Sequence, residues 1–363
     1  MARDLTPSVG SAIPRPWSSI VAWCGLAVAW AFSINGDSLW IDELTTAMLA
    51  GASSWHDFTV RLASTGSEML MPLFSVYAWL WGRIGGTSEI MLRLMNLPWA
   101  LLAAAAWWWY TQRMKLSAWW LLLLASPFYC YYLNEARPYC MTFASALVAF
   151  CATDQMVRAA WRREPEGIPE RILGGTLAVC LGTSMLNIFL APVLILYGVV
   201  LWLGFCNPGD SRRSALDSIC DLIKLRRRSI AFCGLLICIY AAYYGLALSM
   251  GHGGMRGGFS PANIMFGFYE IIGMLPFGPP RYIMRDLPPT QIAGSLGWGG
   301  WVMIATWLAI GLMIARRFMT RPRDRHLLSL ILSAGGGLII FVAAAWLGGA
   351  RLWGRHLMFM VPI

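Results

Sequence analysis

Residues 71 to 82 read Met71-Pro-Leu-Phe-Ser-Val-Tyr-Ala-Trp-Leu-Trp-Gly82, and whether they cross a membrane decides the topology of everything that follows. Counted as a span, they invert every later connection. At ~1.5 Å per residue they cover about 18 Å of a hydrocarbon core that is ~30 Å thick. They are therefore predicted to form a juxtamembrane or re-entrant helix inside one large external loop over residues 35 to 90. Pro72 suits the first position of that helix, where its missing N–H costs no hydrogen bond.

On either side the chain is apolar. It is 58% hydrophobic and 13% charged over 363 residues, with a mean hydropathy of +0.58, which excludes an ordinary soluble domain. Apolar runs fall near residues 17–34, 91–110, 117–133, 138–157, 172–185, 188–206, 229–250, 293–315 and 327–347, and another starts near 357. The expected fold is all-α: a polytopic integral membrane protein with about 10 transmembrane helices in this chain. It forms a single membrane domain over 1–363, with 17–205 as one module and 206–363 adding further spans. The first run is preceded by Arg3 and Arg15 and is expected to stay as an anchor.

Charge supports this reading. With the N-terminus cytoplasmic, the inside segments hold Arg3 and Arg15; Arg113 and Lys115; Arg158, Arg162, Arg163 and Arg171; Arg212, Arg213, Lys224 and Arg226 to Arg228; and Arg316, Arg317, Arg321, Arg323 and Arg325. These are nineteen of the 28 basic residues, as the positive-inside rule requires. The net charge of +10 thus reflects topology, and no nucleic-acid partner is expected. Arg61, Arg83, Arg93, Arg137, Arg256, Arg281, Arg285, Arg351 and Arg355 fall outside against the rule; an anionic ligand would give them a reason, because the guanidinium fork matches phosphate. The nine cysteines are odd in number and lie mostly in apolar runs, so no disulfide framework is expected.

Acids are scarce, and two of them, Asp42 and Glu43, stand together just beyond the first span. On a helix they point about 100° apart, which implies separate roles. One reading makes Asp42 an N-cap and Glu43 a partner of the helix dipole; the other makes them chemical. Glu68 precedes the short helix and by itself reads as a solvated loop carboxylate. His56 and Asp57 share that loop, but no metal-ligand spacing occurs, so no protein metal site is expected; a divalent cation shared between a carboxylate and a phosphate is left open as a cofactor. Arg93 and Arg137 sit at span edges, where snorkelling towards lipid headgroups competes with a site role. The second external loop, 251–290, carries Arg256 among glycines, as a loop near a ligand would. Without a phosphate-binding or dinucleotide fingerprint, an activated donor is expected to arrive attached to lipid.

Leu39-Trp-Ile-Asp42-Glu43, Pro72-Leu-Phe, Ser88-Glu-Ile-Met-Leu-Arg93-Leu, Ser126-Pro-Phe and Asn134-Glu-Ala-Arg137-Pro-Tyr139, in this order, resemble the N-terminal module of the C-type glycosyltransferase superfamily. The likeness covers roughly residues 17 to 205 and is closest to the protein O-mannosyltransferase and lipid A aminoarabinose transferase branch. It implies an extracytoplasmic site in a cell inner or plasma membrane, which moves a sugar from a polyprenyl phosphate to an acceptor hydroxyl of a glycan, lipid or protein, with inversion. It also implies Asp42 and Glu43 as catalytic, with Asp42 the base, and Arg93 and Arg137 as phosphate-binding; Glu68, Tyr139 and Arg256 complete the candidate substrate set. Relatives usually extend further than Ile363, so a longer protein is expected. The alternative is a lipid-linked sugar flippase or a transporter, but such proteins place ionisable groups near the midplane, whereas the charges here gather at span ends and in loops.

Overall fold

The computed structural model describes residues 16–36, 38–114, 117–206, 214–252, 267, 269, 270, 291, 294–320, 325–347 and 359. Among them all regular structure is helical. Five stretches are long and apolar enough to cross a bilayer, Glu89–Arg113, Tyr139–Trp161, Met185–Cys206, Arg227–Ser249 and His326–Leu347, which is consistent with a membrane protein. Shorter apolar helices at Trp17–Ser33 and Gly297–Met313 accompany them.

In chain order the helices are α1 (Pro16–Ser33), α2 (Ile41–Ala50), α3 (Trp55–Ser64), α4 (Pro72–Gly85), α5 (Glu89–Leu94), α6 (Leu97–Arg113), α7 (Pro127–Leu133), α8 (Tyr139–Trp161), α9 (Ile168–Thr183), α10 (Leu190–Cys206), α11 (Ala215–Leu225), α12 (Arg227–Ser249), α13 (Gly297–Thr320) and α14 (Arg325–Leu347). The run 117–133, expected as one span, is broken. Residues Ala118–Ala125 wind as a 3₁₀ helix, Ser126 is extended at φ −60° and ψ 146°, and α7 starts at Pro127. Proline pushes the residue before it out of the α region and supplies no N–H. The Ser126 hydroxyl then accepts from the Tyr129 N–H and caps α7.

Helix α8 is the centre of the bundle. It is buried around almost its whole circumference, between α6, α9 and α10, because Ala144, Ser145, Ala149, Cys151, Ala152 and Ala160 let neighbours approach closely. Around it, α1 leans on the 3₁₀ segment, where the Trp30 indole donates to Leu124 O at 3.0 Å. All nine cysteines are free thiols.

Residues 38 to 96 fold over one end of this bundle as α2 to α5. As expected, a short helix begins at Pro72, and α4 continues to Gly85. It stops because Gly86 takes φ +83°, a left-handed value that glycine adopts without penalty. Helices α2 and α4 cross so closely that a Cβ on Gly82 would fall on the Ala50 carbonyl. The same end gathers the C-terminus of α1, the N-terminus of α8 and the second half of α12, whose Tyr243 hydroxyl donates to Met69 O at 2.9 Å.

Candidate functional site

The acidic pair opens α2, but Asp42 is not its N-cap. That position belongs to Trp40, with extended backbone at φ −84° and ψ 169°, and Asp42 is the second helical residue. The expected cap therefore shifts to the third residue, Glu43, whose carboxylate reaches back to accept from the Trp40 N–H at 3.2 Å. The 100° between neighbours then separates their fates. Glu43 is 1% exposed, whereas Asp42 is half-buried at the rim.

Glu43 organises the motif residues around itself. Its Oε1 accepts from the Ala136 N–H at 2.7 Å and from Arg93 Nε at 3.3 Å, and its Oε2 accepts from Arg93 Nη2 at 3.1 Å. Arg93 is equally buried, and its remaining nitrogen, Nη1, donates to Asn35 O at 2.9 Å and Asn35 Oδ1 at 3.0 Å. Asn35 in turn pairs with Asn134, its N–H donating to Asn134 Oδ1 at 2.9 Å while Asn134 Nδ2 donates back at 3.0 Å. Asn96 Nδ2 closes the ring from below with bonds to Leu133 O at 3.1 Å and Glu135 O at 2.6 Å. The turn Asn134 to Arg137 is thus bolted to α1, α2 and the α5–α6 corner.

Arg137 forms a second buried ion pair. Its Nη1 lies 2.8 Å from Glu68 Oε1 and also donates to Asp42 O at 3.0 Å and Thr46 Oγ1 at 3.3 Å, while Nη2 touches Met71 Sδ at 3.7 Å. Glu68 is 3% exposed. The solvated loop carboxylate expected from the sequence is therefore a buried one, carried inward by the 3₁₀ turn Glu68–Leu70 that leads into Pro72. Burial opposes the charge on Arg137, but the neighbouring Glu68, Tyr139 and Asp42 outweigh it and raise its pKa above the ordinary arginine value. Its Nε–H has no hydrogen-bond partner among the described residues. Asp42, Glu68 and Arg137, far apart in sequence, thus share one locus.

Tyr139 begins α8 beside this locus, its ring edge-on to Tyr132 at 4.7 Å. Arg256 lies outside the described residues. The four described arginines that were expected outside, against the positive-inside rule, all have protein acceptors. Besides Arg93 and Arg137, Arg61 pairs with Asp57 at 2.8 Å, and Arg83 stacks on Trp79 while donating to the carbonyls of Ala52 and Ser53. Internal pairing, without any ligand, already accounts for their presence. Among the described residues no group of three or more His, Cys, Asp or Glu could hold a metal ion. A cation at Asp42 and Glu68 would meet the Arg137 guanidinium already seated there, so this locus does not fit one.

Two features were not foreseen. Glu270, in the stretch expected to form the second external loop, is fully buried and accepts from the Tyr132 hydroxyl at 3.2 Å, which joins this residue to the aromatic side of the site; a lone acid beside Tyr269 gives no signal of this. At the opposite end of the bundle, Asp154 is 0% exposed and accepts from Arg158 Nε at 2.7 Å and the Tyr197 hydroxyl at 2.7 Å. His326 Nε2 stands 3.6 Å from it and 2.8 Å from the Tyr110 hydroxyl. As the single charge in the run 138–157, Asp154 carried a readable signal.

Compared with known protein families, curated proteins and solved structures, the chain matches none.

Proposed function

We propose that the chain is a membrane glycosyltransferase of the C-type superfamily. It spans the membrane about ten times, with the end that carries residues 35 to 96 extracytoplasmic, and moves a sugar from a polyprenyl-phosphate donor to an acceptor hydroxyl. The observation that carries this reading is the convergence of Asp42, Glu68 and Arg137 on one locus, held by two ion pairs whose side chains are no more than 7% exposed. Buried charges cost several kcal/mol each to desolvate, so they contribute little net stability but define one arrangement. An arrangement built this way at the mouth of a bundle has the character of a preorganised site.

Roles follow from geometry. Glu43 has its oxygens filled by four donors, so it acts as the anchor that aims Asp42 rather than as a base. Asp42, the half-buried carboxylate, is the base. The acceptor oxygen attacks the anomeric carbon as its proton passes to Asp42, and the bond from that carbon to the phosphate oxygen breaks with its electron pair going to phosphate. Inversion places the base opposite the leaving group, by analogy with inverting glycosidases. A phosphate leaves without an acid if a cation meets its charge, and Arg137, with Nε–H directed to no described acceptor, is the group for that. Arg93, whose three nitrogens all have protein partners, is a positioning residue. No step uses a metal.

One observation favours the flippase or transporter alternative, the fully buried Asp154 in α8. Its carboxylate is already matched by Arg158, and it sits in the last third of the helix. Transfer by the purified protein in detergent, where no leaflet separates a polyprenyl-phosphate-linked sugar from its acceptor, distinguishes the two. A transferase moves the sugar and releases polyprenyl phosphate there, whereas a flippase or transporter does neither. Surface glycans that are unchanged, by mass spectrometry, in cells without the protein would also defeat the proposal.

A further inference from the structure

Helix α11 has two apolar faces, and only one is used by the bundle. Ser218 and Leu222 are buried, and the Trp202 indole of α10 donates to Ser218 O at 2.6 Å. Leu216, Cys220 and Ile223 follow the i, i+4, i+7 spacing that puts them within about 60° of each other on a helix. That stripe points away from the bundle: Leu216 is 74% exposed, Ile223 47%, and Cys220 is exposed as well.

The chain that follows sets the level of this stripe relative to a membrane. Helix α12 begins two residues after α11 ends. Only 11% of its most apolar stretch is buried, and its exposed apolar surface starts at Ile230, 40% exposed, and continues with Phe232 at 51%. If α12 crosses a bilayer, the hydrocarbon boundary falls just before Ile230, and the exposed Arg227 and Arg228 stand at the headgroups. Ile223 is only seven residues from Ile230, so the end of the α11 stripe stands close to that boundary. The turn between the helices is rigid. Arg226, 1% exposed, reaches 3.0 Å from Glu170 and donates to Glu164 O at 2.9 Å, which clamps it to the start of α9.

From this we infer that α11 lies along the membrane surface as an interfacial helix, with Leu216, Cys220 and Ile223 dipped into an anionic leaflet and Lys224, Arg227 and Arg228 on its lipid phosphates. Apolar side chains entering the acyl boundary with basic side chains beside them is how amphipathic helices hold to anionic membranes. Asp221 lies off the stripe, about 100° around from Cys220 and about 140–160° from Leu216 and Ile223. It therefore faces away from the leaflet when the stripe is down.

The test uses the full chain in vesicles. A nitroxide on Cys220, in a Cys24→Ser/Cys238→Ser variant that removes the other exposed thiols, should collide with oxygen and be shielded from aqueous nickel chelate when the vesicles contain phosphatidylglycerol. A nitroxide at Asp221→Cys, with Cys220→Ser, should show the reverse. In pure phosphatidylcholine, or with Lys224→Gln/Arg227→Gln/Arg228→Gln, the shielding at 220 should fall. Equal nickel access at 221 and 220 would overturn the inference, as would spin–spin broadening at 220, which would put a second copy on the stripe. Shielding indifferent to lipid charge would overturn the anionic-leaflet assignment. In the unsubstituted protein, peptide-resolved alkylation should find Cys220 slower to react with a charged than with an apolar maleimide; equal rates would contradict the inference independently of any substitution.

Discussion

Glu43→Gln probes the ion pair on which the site's geometry rests. The native carboxylate accepts four hydrogen bonds, from Trp40 N at 3.2 Å, Ala136 N at 2.7 Å and two nitrogens of Arg93 at 3.3 and 3.1 Å. Glutamine keeps the shape but turns one of these acceptors into a donor, facing either the Trp40 and Arg93 Nη2 hydrogens or the Ala136 and Arg93 Nε hydrogens. It also leaves the guanidinium, 3% exposed, without a counter-charge. Removing one partner of a buried pair costs ~3–5 kcal/mol. Arg93→Met leaves Glu43 uncompensated and is expected to cost a similar amount. In the double variant no unpaired charge remains, so its loss should fall well short of the sum, with a coupling of roughly 2–3 kcal/mol. Reversible unfolding in detergent, followed by the fluorescence of the 20 tryptophans, measures all three. Single losses below about 1 kcal/mol that simply add, within the ~0.5 kcal/mol expected of independent sites, would refute the pair.

Arg137→Lys keeps a charge for Glu68 but loses the planar fork, so the donor concentration for half-maximal transfer should rise with little change in stability; the corresponding Arg93→Lys should instead lower the unfolding midpoint. Gly82→Ala drives a methyl onto the Ala50 carbonyl and should destabilise by ~1–3 kcal/mol, seen first as faster amide exchange in α2 and α4. Asp57 has a lowered pKa because Arg61 and the Ser53 N–H bond its carboxylate. Its help to the start of α3 is therefore present above the ordinary carboxylate range and is lost as pH falls through the depressed native value; amide exchange in α3 should accelerate only there.

The start of the short helix was legible, because a proline stands where the helix begins and that fact is local. The motif residues singled out from the sequence, Asp42, Glu43, Arg93 and Arg137, do meet within one end of the bundle. What could not be read was pairing. Glu68 looked solvated because its partner is 69 positions away. The arginines looked free for a ligand because Asn35, Glu43 and Glu68 are brought to them only by folding. The cap of α2 was misplaced by two residues because Glu43 reaches back to accept from the Trp40 N–H, a bond that replaces an acid at the N-cap. The break at Ser126 was written in the following proline but hidden under an apolar run that hydropathy alone reads as continuous.

The most direct test of the central claim is transfer by Asp42→Asn in reconstituted vesicles supplied with polyprenyl-phosphate-linked sugar and acceptor. Asp42 is the second residue of α2 and accepts from Arg137 through its main-chain oxygen, so asparagine leaves the Arg137–Glu68 pair and the Glu43 cap in place. A general base contributes typically ~10²- to 10⁴-fold. The variant should insert, unfold at the parental midpoint and still bind donor, with transfer reduced by that factor. Transfer at close to the parental rate would contradict the assignment of Asp42 as the base.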